Sequence, residues 1–531
     1  MTSAVPRGCA IAALAFALAS SAGAQAPAPP HELASPTRAG APARAHAEVM
    51  DAIAREAAEG SQVVPLARGL MDGVGPRLTG SPGERAARDW ALATLRGWGL
   101  QAHDEAYGTW TSWSRGVTHV DMVEPRVRSL SATLLAWSPG TEGAVQGAAV
   151  LLPDSAGPAE FDRWLADAKG KWVLVSPPAA SCRPEESWTR WAGDAGAAAA
   201  TAERVRADSA WQRRIAGTGS TARMLPMRLE QAGVAGVLGS RWSGGWGTEQ
   251  VHNTWTLRVP MLDVACEDYG LLARLAEGGT APIVRVDAAA KFGGEVPVHN
   301  TIAVLPGTDR AAESVVLSAH LDSWDAASGA TDNGAGVVAA MEAMRILSRV
   351  TPHPRRNIVL ALWGGEEEGL NGSGAYAADH PDVVRGLQAL FNLDGGTGRV
   401  MHVAAPAGSE SAVRGWLGSL SPQIAGGTDV ESTAPGTRAE SDHGSFTCRG
   451  APAFNLVSGD WDYRAYTWHT DRDTYDKLSI ADLRANAALL AGLAYAAAQD
   501  PHRTPRTPAA ADACRKPSRS MLEFLEHLMA P

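Results

Sequence analysis

The chain has 531 residues, more than one hydrophobic core usually supports, so two or more compact units are expected. Hydrophobic residues make up 45% of it and charged residues 20%, a balance typical of folded soluble proteins, which excludes a disordered or fibrous chain. The formal charge is -10, from 47 basic and 57 acidic residues, so nucleic acid is not expected as a partner.

The first 44 residues are not expected to contribute to a core. Residues 1–24 contain an apolar run from Ala10 to Ala19 and end in the small-x-small pattern Ala22-Gly23-Ala24, which predicts a signal peptide cleaved after about Ala24. We therefore expect a secreted or periplasmic protein. Residues 25–44 are rich in Pro and Ala and are predicted to be a linker. No later stretch reaches the ~20 uninterrupted apolar residues of a membrane span, so stable membrane insertion is not expected.

Residues 45–117 contain a well-marked helix. Ser81 and Glu84 have the spacing of a capping box, and Pro82 occupies the first helical position. Apolar residues then recur at helical spacing as far as Trp98, which predicts an amphipathic helix. We assign 45–117 to the amino-terminal part of the catalytic domain that is predicted below.

The pattern changes near residue 118. From 118 to 292, short β-type runs are separated by Gly and Pro turns, which predicts a smaller, β-rich domain of its own. From 293 to 500, apolar strands alternate with helical segments, which predicts an α/β domain with a mostly parallel, doubly wound sheet. Residues 501–531 are predicted to form a carboxy-terminal tail. The alternating runs are Val315–Ala319, Val337–Leu347, Ile358–Trp363 and Ala389–Leu393.

The cysteine and tryptophan residues give less information about the fold and the function. The cysteines beyond the predicted signal peptide allow three pairings, and their spacing selects none of them. The chain has no CxxC pair, which disfavours a zinc site built from thiolates. Several tryptophans lie in Gly- and Ser-rich surroundings; most are expected to pack in the core, and the alternative is that one or two line a substrate cleft. The residues concerned are Cys182, Cys266, Cys448 and Cys514, and Trp110, Trp113, Trp242 and Trp246.

Polar residues follow the apolar strands directly. In a doubly wound sheet, ligands bind at the carboxyl ends of the strands, so these side chains are expected to converge on one edge. Three strand ends and one further loop supply them. The candidates are His320, Asp322, Asp332, Glu366, Glu367, Asp394 and His469.

Imidazole and carboxylate without thiolate form the ligand set of a divalent cation, most often zinc. These ligands are too many for one open tetrahedral site and suit two zinc ions per chain. We assign His320, Asp394 and one oxygen of Asp332 to the first ion, and His469, Glu367 and the other oxygen of Asp332 to the second. A bridging hydroxide then balances the charge, which favours a deprotonated water at neutral pH.

Two acids remain for other roles. Glu366 is predicted to take the proton of the water and return it to the leaving amine. Asp322 is predicted to accept the free ring N–H of His320 and so fix its tautomer. Each residue has a plainer alternative, such as a solvated loop for His320, a helix start for Glu366 and Glu367, or a turn for Asp394. Their joint occurrence in one α/β block favours the metal site.

Other catalytic chemistries lack their motifs. The chain contains no G-x-S-x-G elbow, no H-E-x-x-H helix and no G-x-x-x-x-G-K-[ST] loop. A serine hydrolase of that type, a zincin and a P-loop nucleotidase are therefore not supported.

The ordered motifs resemble the co-catalytic zinc exopeptidases, the family that includes the bacterial secreted aminopeptidases and carboxypeptidase Q (plasma glutamate carboxypeptidase). Gly75–Ser81 resembles the amino-terminal portion of that family, and the run His320–Asp325 is closer to carboxypeptidase Q than to the simple aminopeptidases. The other matching segments are His299–Gly307, Ala319–Asp325, Gly329–Gly334, Glu366–Ser373, Asn392–Asp394, Ser441–His443 and His469–Thr474.

The resemblance implies the same site roles. It implies five metal ligands with Asp332 bridging, Glu366 as general acid and base, and a cis peptide bond after Asp332. The five ligands are His320, Asp332, Glu367, Asp394 and His469. Residues 118–292 resemble a protease-associated domain, which is non-catalytic and caps the cleft. Aminopeptidase members place a carbonyl-polarising Tyr three residues before the Ser441 segment, where this chain has Arg438, so that role is left unassigned.

We expect an exported exopeptidase that hydrolyses short peptides as an aminopeptidase or dipeptidase, through a hydroxide that bridges two zinc ions. One alternative is a glutaminyl cyclase-like aminoacyltransferase with a single zinc, and the other is a non-catalytic, receptor-like homologue. Side-chain preference, carboxypeptidase action, the native metal and the oligomeric state, with a homodimer among the alternatives, are left open.

Overall fold

The computed structural model describes residues 41–434, 439–508, 510 and 513–529. The predicted signal peptide 1–24, most of the predicted linker and Arg438 lie outside these residues. The chain divides into two units, residues 1–45 and 46–531, and of the first unit only 41–45, the start of a helix, are described.

Helices and strands alternate through most of the described chain. The α-helices are α1 (Ala41–Glu59), α2 (Val63–Ala67), α3 (Pro82–Gly97), α4 (Pro158–Asp167), α5 (Glu185–Gly217, kinked at Gly193), α6 (Leu225–Gln231), α7 (Cys266–Glu277), α8 (Ala335–Val350), α9 (Asn371–Asp379), α10 (Pro381–Gly386), α11 (Glu410–Ser419), α12 (Pro422–Ala425), α13 (Gly444–Thr447), α14 (Ile480–Gln499) and α15 (Met521–Met529). The strands are β1 (Gln101–Glu124), β2 (Arg128–Leu130), β3 (Ala132–Leu134), β4 (Val145–Leu151), β5 (Trp172–Leu174), β6 (Gly236–Gly239), β7 (Met261–Val264), β8 (Ile283–Leu305), β9 (Arg310–His320), β10 (Arg356–Trp363), β11 (Leu387–Leu393), β12 (Val400–Pro406), β13 (Asp429–Thr433) and β14 (Ala453–Ser458).

Twelve of the fourteen described strands form one hydrogen-bonded path, in the order β13-β12-β14-β11-β9-β10-β8-β4-β5-β6-β7-β3, and β1 joins it by pairing with β8 and carries β2. Around its middle, β10 and β9, β9 and β11, and β11 and β14 pair in parallel, whereas β8 is antiparallel to β10 and β12 is antiparallel to β14. Alternate residues of β9 and β10 pack on opposite faces: Leu317 and Leu360 pack with α8 and α14, whereas Val316 and Val359 pack with α9. Both faces are therefore covered by helices, which is the predicted doubly wound α/β arrangement.

Two long strands connect this sheet to the rest. β1 pairs antiparallel with β8 from Gln101 opposite Val304 to Glu124 opposite Ile283. One end of β8 pairs with β10 and the other with β4, which begins a short parallel run through β5, β6 and β7. Residues 118 and 292, the predicted limits of the β-rich domain, lie inside β1 and β8. The apolar run from Ile283 to Val286 is only the start of β8. The apolar pattern did not predict the continuation of this strand, because residues 289–295 are largely exposed and lack an apolar alternation.

The starts of α1 and α3 differ in detail from the sequence predictions. The side chain of Ser81 accepts the N–H of Glu84 at 3.1 Å, as the capping box predicts, but the carboxylate of Glu84 accepts the N–H of Gly80 at 2.8 Å instead of that of Ser81. The predicted linker ends too late, since α1 begins at Ala41. Alanine is the strongest helix former, and residues 41–48 contain four of them, so the helix extends into the Pro/Ala-rich stretch.

The cysteines, whose pairing the sequence leaves open, form two disulfides. Cys182 bonds to Cys266, and Cys448 bonds to Cys514. The second bond ties the tail to α13, and α15 then packs through Phe524 against Trp110 of β1. Among the described helices, none has the length and apolar character needed to span a membrane.

Candidate metal centre

The carboxyl ends of three neighbouring parallel strands meet at one point of the sheet. His320 is the last residue of β9 and lies opposite Trp363, the last residue of β10. Asp394 directly follows β11, which pairs with β9 on its other side. Since the strands end level with one another, the residues that follow them are brought together, as expected for a doubly wound sheet.

The five predicted ligands form two groups that share Asp332. Nε2 of His320 lies 3.3 Å from Oδ1 of Asp332 and 3.2 Å from Oδ1 of Asp394. Nε2 of His469 lies 3.3 Å from Oδ2 of Asp332 and 3.1 Å from Oε2 of Glu367. Within each group the ligand atoms all lie within 4.8 Å of one another. Each oxygen of Asp332 thus faces a different imidazole, which is the geometry of a carboxylate shared between two cations.

Asp473 holds the backbone around Asp332. The turn Ala330–Gly334 carries Asp332, whose N–H donates to Asp473 at 3.0 Å, and the N–H of Thr331 donates to the same carboxylate at 2.7 Å. The peptide bond between Asp332 and Asn333 is cis, as the resemblance implies. Asp473 therefore supports the backbone that carries Asp332.

Arg77 spans the loop that joins the first two ligands. Its completely buried guanidinium donates to the carbonyl oxygens of Leu321 at 2.6 Å, Ser328 at 2.6 Å and Gly329 at 2.9 Å, and to that of Gly75 at 3.0 Å. Burial lowers the pKa of Arg77 to about 10, so the side chain stays charged at neutral pH. One rigid fork thus ties both ends of the loop between His320 and Asp332.

We expect Arg77→Lys to loosen this loop. A lysine has one donor atom and cannot reproduce the fork, so buried carbonyls lose their partners. The free energy of unfolding should fall by about 3 kcal/mol, and the affinity for divalent metal by about tenfold. Urea denaturation and metal titration measure the two effects. Arg68→Lys, at an exposed position, is the control, and equal behaviour of the two variants would show that Arg77 has no such role.

The loop after β10 carries Glu366 and also Glu367, which belongs to the second group. Its backbone N–H groups at Glu366 and Glu367 donate to the carboxylate of Asp322 at 3.3 and 3.2 Å. From the sequence, Asp322 is predicted as the acceptor of the ring N–H of His320, and this is incorrect in detail for its side chain. Nδ1 of His320 lies 3.0 Å from the backbone oxygen of Asp322 and 3.8 Å from its carboxylate. The carboxylate is turned toward the two N–H groups because a buried charge is best compensated by several donors. A helix start at Glu366 is excluded, since α9 begins at Asn371.

His469 lies on a loop well beyond β14 and adopts a positive φ of 59°. The N–H of Val251 donates to its backbone oxygen at 2.7 Å, so the β-rich block supports this ligand. Two indoles contact the imidazole, Trp468 at 4.1 Å and Trp324 at 5.9 Å between ring centroids. The side chain of His469 is therefore held from several directions.

The charges of the cluster favour cations. Burial alone lowers the pKa of His469, but the carboxylates of Glu367 and Asp332 outweigh it and raise the pKa to about 10. Burial also lowers the pKa of His320, and Asp394 and Glu366 raise it well above its ordinary value. Oε1 of Glu367 is buried without a hydrogen-bond partner among the described residues. The site thus has excess negative charge and an unused ligand atom, and the donor set fits two divalent cations.

A cleft of about 770 Å³ lies beside the cluster. Its lining residues include Thr331, which directly precedes Asp332, and Gly396, two residues after Asp394, and aromatic side chains form much of its wall. The sequence left open whether tryptophans line a cleft: Trp246 does, whereas Trp110 and Trp113 are buried in the core. Trp242 is only half-buried and bonds to the carbonyl oxygen of Gly245 at 2.6 Å.

Three residues near the site were given no role from the sequence: Arg77, Asp473 and Trp324. All three lie in segments that carry the family resemblance, and that resemblance is the sequence feature that could have pointed to them. Their contacts are with backbone groups and rings distant in the chain, and spacing cannot indicate these.

Comparisons with known proteins find metallopeptidases among the relatives of this chain. A model of peptidase family M28 matches residues 300–494. Carboxypeptidase Q of Pongo abelii is 26% identical over 442 residues, which cover 82% of this chain and 85% of that protein. A peptidase M28 precursor from Shewanella amazonensis has a TM-score of 0.65 at 23% identity, covering 88% of this chain and 100% of that one. The zinc aminopeptidase BSAP of Bacillus subtilis has a TM-score of 0.53 at 17% identity, covering 86% and 98%. At these identities the two structures bear on the fold alone, and they confirm the predicted α/β class.

Proposed function

The chain is a metallopeptidase that matches peptidase family M28 over residues 300–494, and from this premise we propose that it is an exported exopeptidase that hydrolyses short peptides with two zinc ions. The proposal rests on the position of Asp332 between the two groups of candidate ligands. One oxygen faces His320 and Asp394, and the other faces His469 and Glu367. We therefore propose these five residues as the zinc ligands.

The zinc ions, when bound, would lower the pKa of a water and polarise the carbonyl of the scissile peptide bond. We assign the proton transfers to Glu366. Burial and the charge of Asp394 raise the pKa of Glu366 well above its ordinary value, against the opposing effect of His320, which suits a group that both takes and returns a proton. Glu366 thus removes a proton from the attacking water and delivers it to the nitrogen of the leaving amine.

Asp322 is proposed to act on the position of Glu366. Its carboxylate accepts the N–H groups of Glu366 and Glu367, and Oγ1 of Thr79 lies 3.4 Å from it. These contacts fix the loop on which the proton-transferring carboxylate and a zinc ligand stand side by side. Asp322 is therefore a positioning residue in this proposal.

The alternative chemistries are less well supported. A glutaminyl cyclase-like enzyme with a single zinc needs one ligand group, whereas this chain offers two that share a carboxylate. A receptor-like homologue has no use for a buried acid cluster with a complete ligand set. The substrates expected here are short peptides with a free terminus, and the assignment of 118–292 as a protease-associated domain that caps the cleft remains part of the proposal.

Export is supported by the two disulfides. Disulfide bonds persist in oxidising compartments and are rare in the reducing cytosol. Cys182–Cys266 and Cys448–Cys514 therefore agree with the signal peptide predicted at residues 1–24. A secreted or periplasmic location is the proposal.

The decisive experiment is a substrate panel with metal removal. We expect the zinc-loaded protein to release amino acids from aminoacyl anilides and dipeptides, and a chelator to reduce the rate by at least about 10³-fold because the ligands alone do not activate water. Added zinc should restore activity, with two ions bound per chain. Activity that persists after complete removal of metal would contradict the mechanism, and tight binding of one zinc with cyclisation of amino-terminal glutamine would favour the cyclase.

A further inference from the structure

The cleft of about 770 Å³ beside the ligand cluster offers one hydroxyl group that has no protein partner. Six residues of its wall carry a side-chain hydroxyl: Thr331, Thr397, Tyr463, Tyr466, Thr467 and Ser479. Five of these hydroxyls form hydrogen bonds, whereas that of Tyr463 forms none with any described residue. A polar group in the wall of a roomy cleft, left without a protein partner, is available to a molecule that enters the cleft.

The ring of Tyr463 lies against the turn that follows the ligand Asp394. A Cβ atom placed on Gly396 would lie 3.8 Å from Cβ and Cγ of Tyr463, and one placed on Gly395 would lie 3.8 Å from its Cε1. The ring therefore extends from Gly396 back toward Asp394, with the hydroxyl at its far end. Burial, and then the charges of Asp332 and Asp394, raise the pKa of Tyr463 well above its ordinary value. The hydroxyl thus faces the first ligand group and stays protonated at neutral pH.

An unpaired hydroxyl does not by itself indicate a substrate contact, and Tyr107 shows the difference. Its hydroxyl also lacks a partner within the described part of the chain, but it is closed to solvent, and Tyr107 is not part of the cleft wall. The side chain of Tyr463 is only half-buried, and its hydroxyl is not closed to solvent. Tyr463 therefore combines an unpaired donor, access from the cleft and a position beside the ligands.

Contacts on both sides hold Tyr463 in place. Its N–H donates to the backbone oxygen of Asp460 at 2.8 Å, and its own backbone oxygen accepts the N–H of Trp468 at 2.8 Å. The guanidinium of Arg464 lies 5.9 Å from the centroid of the Tyr463 ring and 5.1 Å from that of Trp468. Trp468 directly precedes the ligand His469, so the phenol is fixed relative to the ligand loop before any substrate binds. Electrostatic stabilisation of a transition state requires a donor that is oriented in advance.

Resting on the proposed function, we propose that the hydroxyl of Tyr463 donates a hydrogen bond to the carbonyl oxygen of the scissile peptide bond and stabilises the negative charge that this oxygen gains. When water adds to the carbonyl carbon, the π electrons of the C=O bond move onto the oxygen, and Glu366 takes the proton that the water loses. The charge then returns to the C=O bond as the C–N bond breaks, and the amine leaves with the proton from Glu366. The phenol gives up no proton at any step.

The surroundings of Tyr463 restrict which substrate oxygen its hydroxyl can meet. The neighbouring Asp332 and Asp394 are proposed ligands of the first zinc ion, and the scissile carbonyl has to lie at this cluster to be attacked. The terminal carboxylate of a dipeptide lies one residue farther along, about 3.8 Å in Cα spacing. Arg472, a basic residue of the cleft wall, already pairs with Asp471 at 3.0 Å. The carbonyl oxygen is therefore the better match for the hydroxyl.

The test compares the zinc-loaded full chain with two changes at position 463 and one control. Tyr463→Phe removes only the hydroxyl, and Tyr463→4-aminophenylalanine replaces the O–H donor by an N–H donor at the same ring position. Tyr466→Phe is the control, because Tyr466 lies in the same cleft wall but its hydroxyl bonds to Glu186 at 3.5 Å. The readouts are kcat and KM on an aminoacyl anilide and a dipeptide, zinc content, and calorimetric binding of an α-aminophosphonic acid as a tetrahedral analogue.

We expect Tyr463→Phe to lower kcat by about 10²-fold on both substrates, with KM within about twofold of the original. Binding of the phosphonic acid should weaken by a similar factor, because its charged oxygen takes the place of the oxygen that gains charge in the reaction. Zinc content should stay at the original value. The 4-aminophenylalanine protein should have a kcat at least about tenfold above that of Tyr463→Phe, since it retains a donor. Tyr466→Phe should keep its kcat and its affinity for the phosphonic acid.

Three results would overturn the inference. Tyr463→Phe might keep full kcat and phosphonate affinity, it might lose zinc, or it might raise KM alone, which would indicate a contact that binds the substrate without stabilising the transition state. Equal kcat values for the two variants at position 463 would assign the loss to something other than the donor and overturn it as well. An unmodified protein that cleaves no substrate would instead overturn the proposed function.

Discussion

Glu366→Gln is expected to lower kcat by about 10³-fold or more while both zinc ions remain bound. The amide has nearly the shape of the carboxylate but cannot take the proton of the attacking water, and general acid–base catalysis typically supplies about 10²- to 10⁴-fold. Because Glu366 is not among the proposed ligands, the metal content should not change. Steady-state kinetics and metal analysis on the same preparation measure the two quantities.

The control for this variant is Glu277→Gln, which makes the same chemical change at the exposed end of α7. It should leave kcat and zinc content as they are. If Glu366→Gln retained full activity, Glu366 would have no part in the mechanism. If the variant instead lost zinc, Glu366 would be a ligand and the two groups would have to be reassigned.

Asp332→Ala is expected to have the largest effect on metal binding. Each oxygen of Asp332 faces a different imidazole, at 3.3 Å in both cases, so its removal takes one ligand from each group. The two carboxylates that remain, Asp394 and Glu367, are then left with one imidazole each. We expect less than one tightly bound zinc per chain and a fall in kcat of at least about 10³-fold.

Two further single substitutions test whether Asp332 is shared by the two zinc ions. Asp394→Ala removes a ligand only from the group of His320, and Glu367→Ala only from that of His469. Each should weaken one zinc and leave the other tightly bound, whereas Asp332→Ala weakens both. Metal titration by calorimetry and elemental analysis gives the stoichiometry. The same loss of a single ion from all three variants would show that Asp332 is not shared.

The sheet and its active edge follow from short-range patterns. The runs around Val315, Ile358 and Ala389 are apolar because each strand is covered by helices on both faces, and this is visible without coordinates. The residues placed after them lie at strand ends that are level in the structure. The candidate ligands could therefore be selected by position and residue type alone.

Longer-range features were not predictable in the same way. β8 continues far beyond its apolar start because its pairing with β1, and not its own pattern, stabilises the exposed middle. The disulfides depend on which loops the fold brings together. The role of the Asp322 carboxylate also changed, because the backbone N–H groups that it accepts belong to a different strand end.

The fold class, the resemblance to zinc exopeptidases and the residue types at each strand end could be recognised without coordinates, because they depend on periodicity and on neighbours along the chain. The folded chain was needed to see which oxygen of Asp332 faces which imidazole and how Arg77 ties the intervening loop. The physical reason is that hydrogen bonds and charge pairs have a range of a few ångströms, and the groups that they join are separated by up to hundreds of residues in the chain.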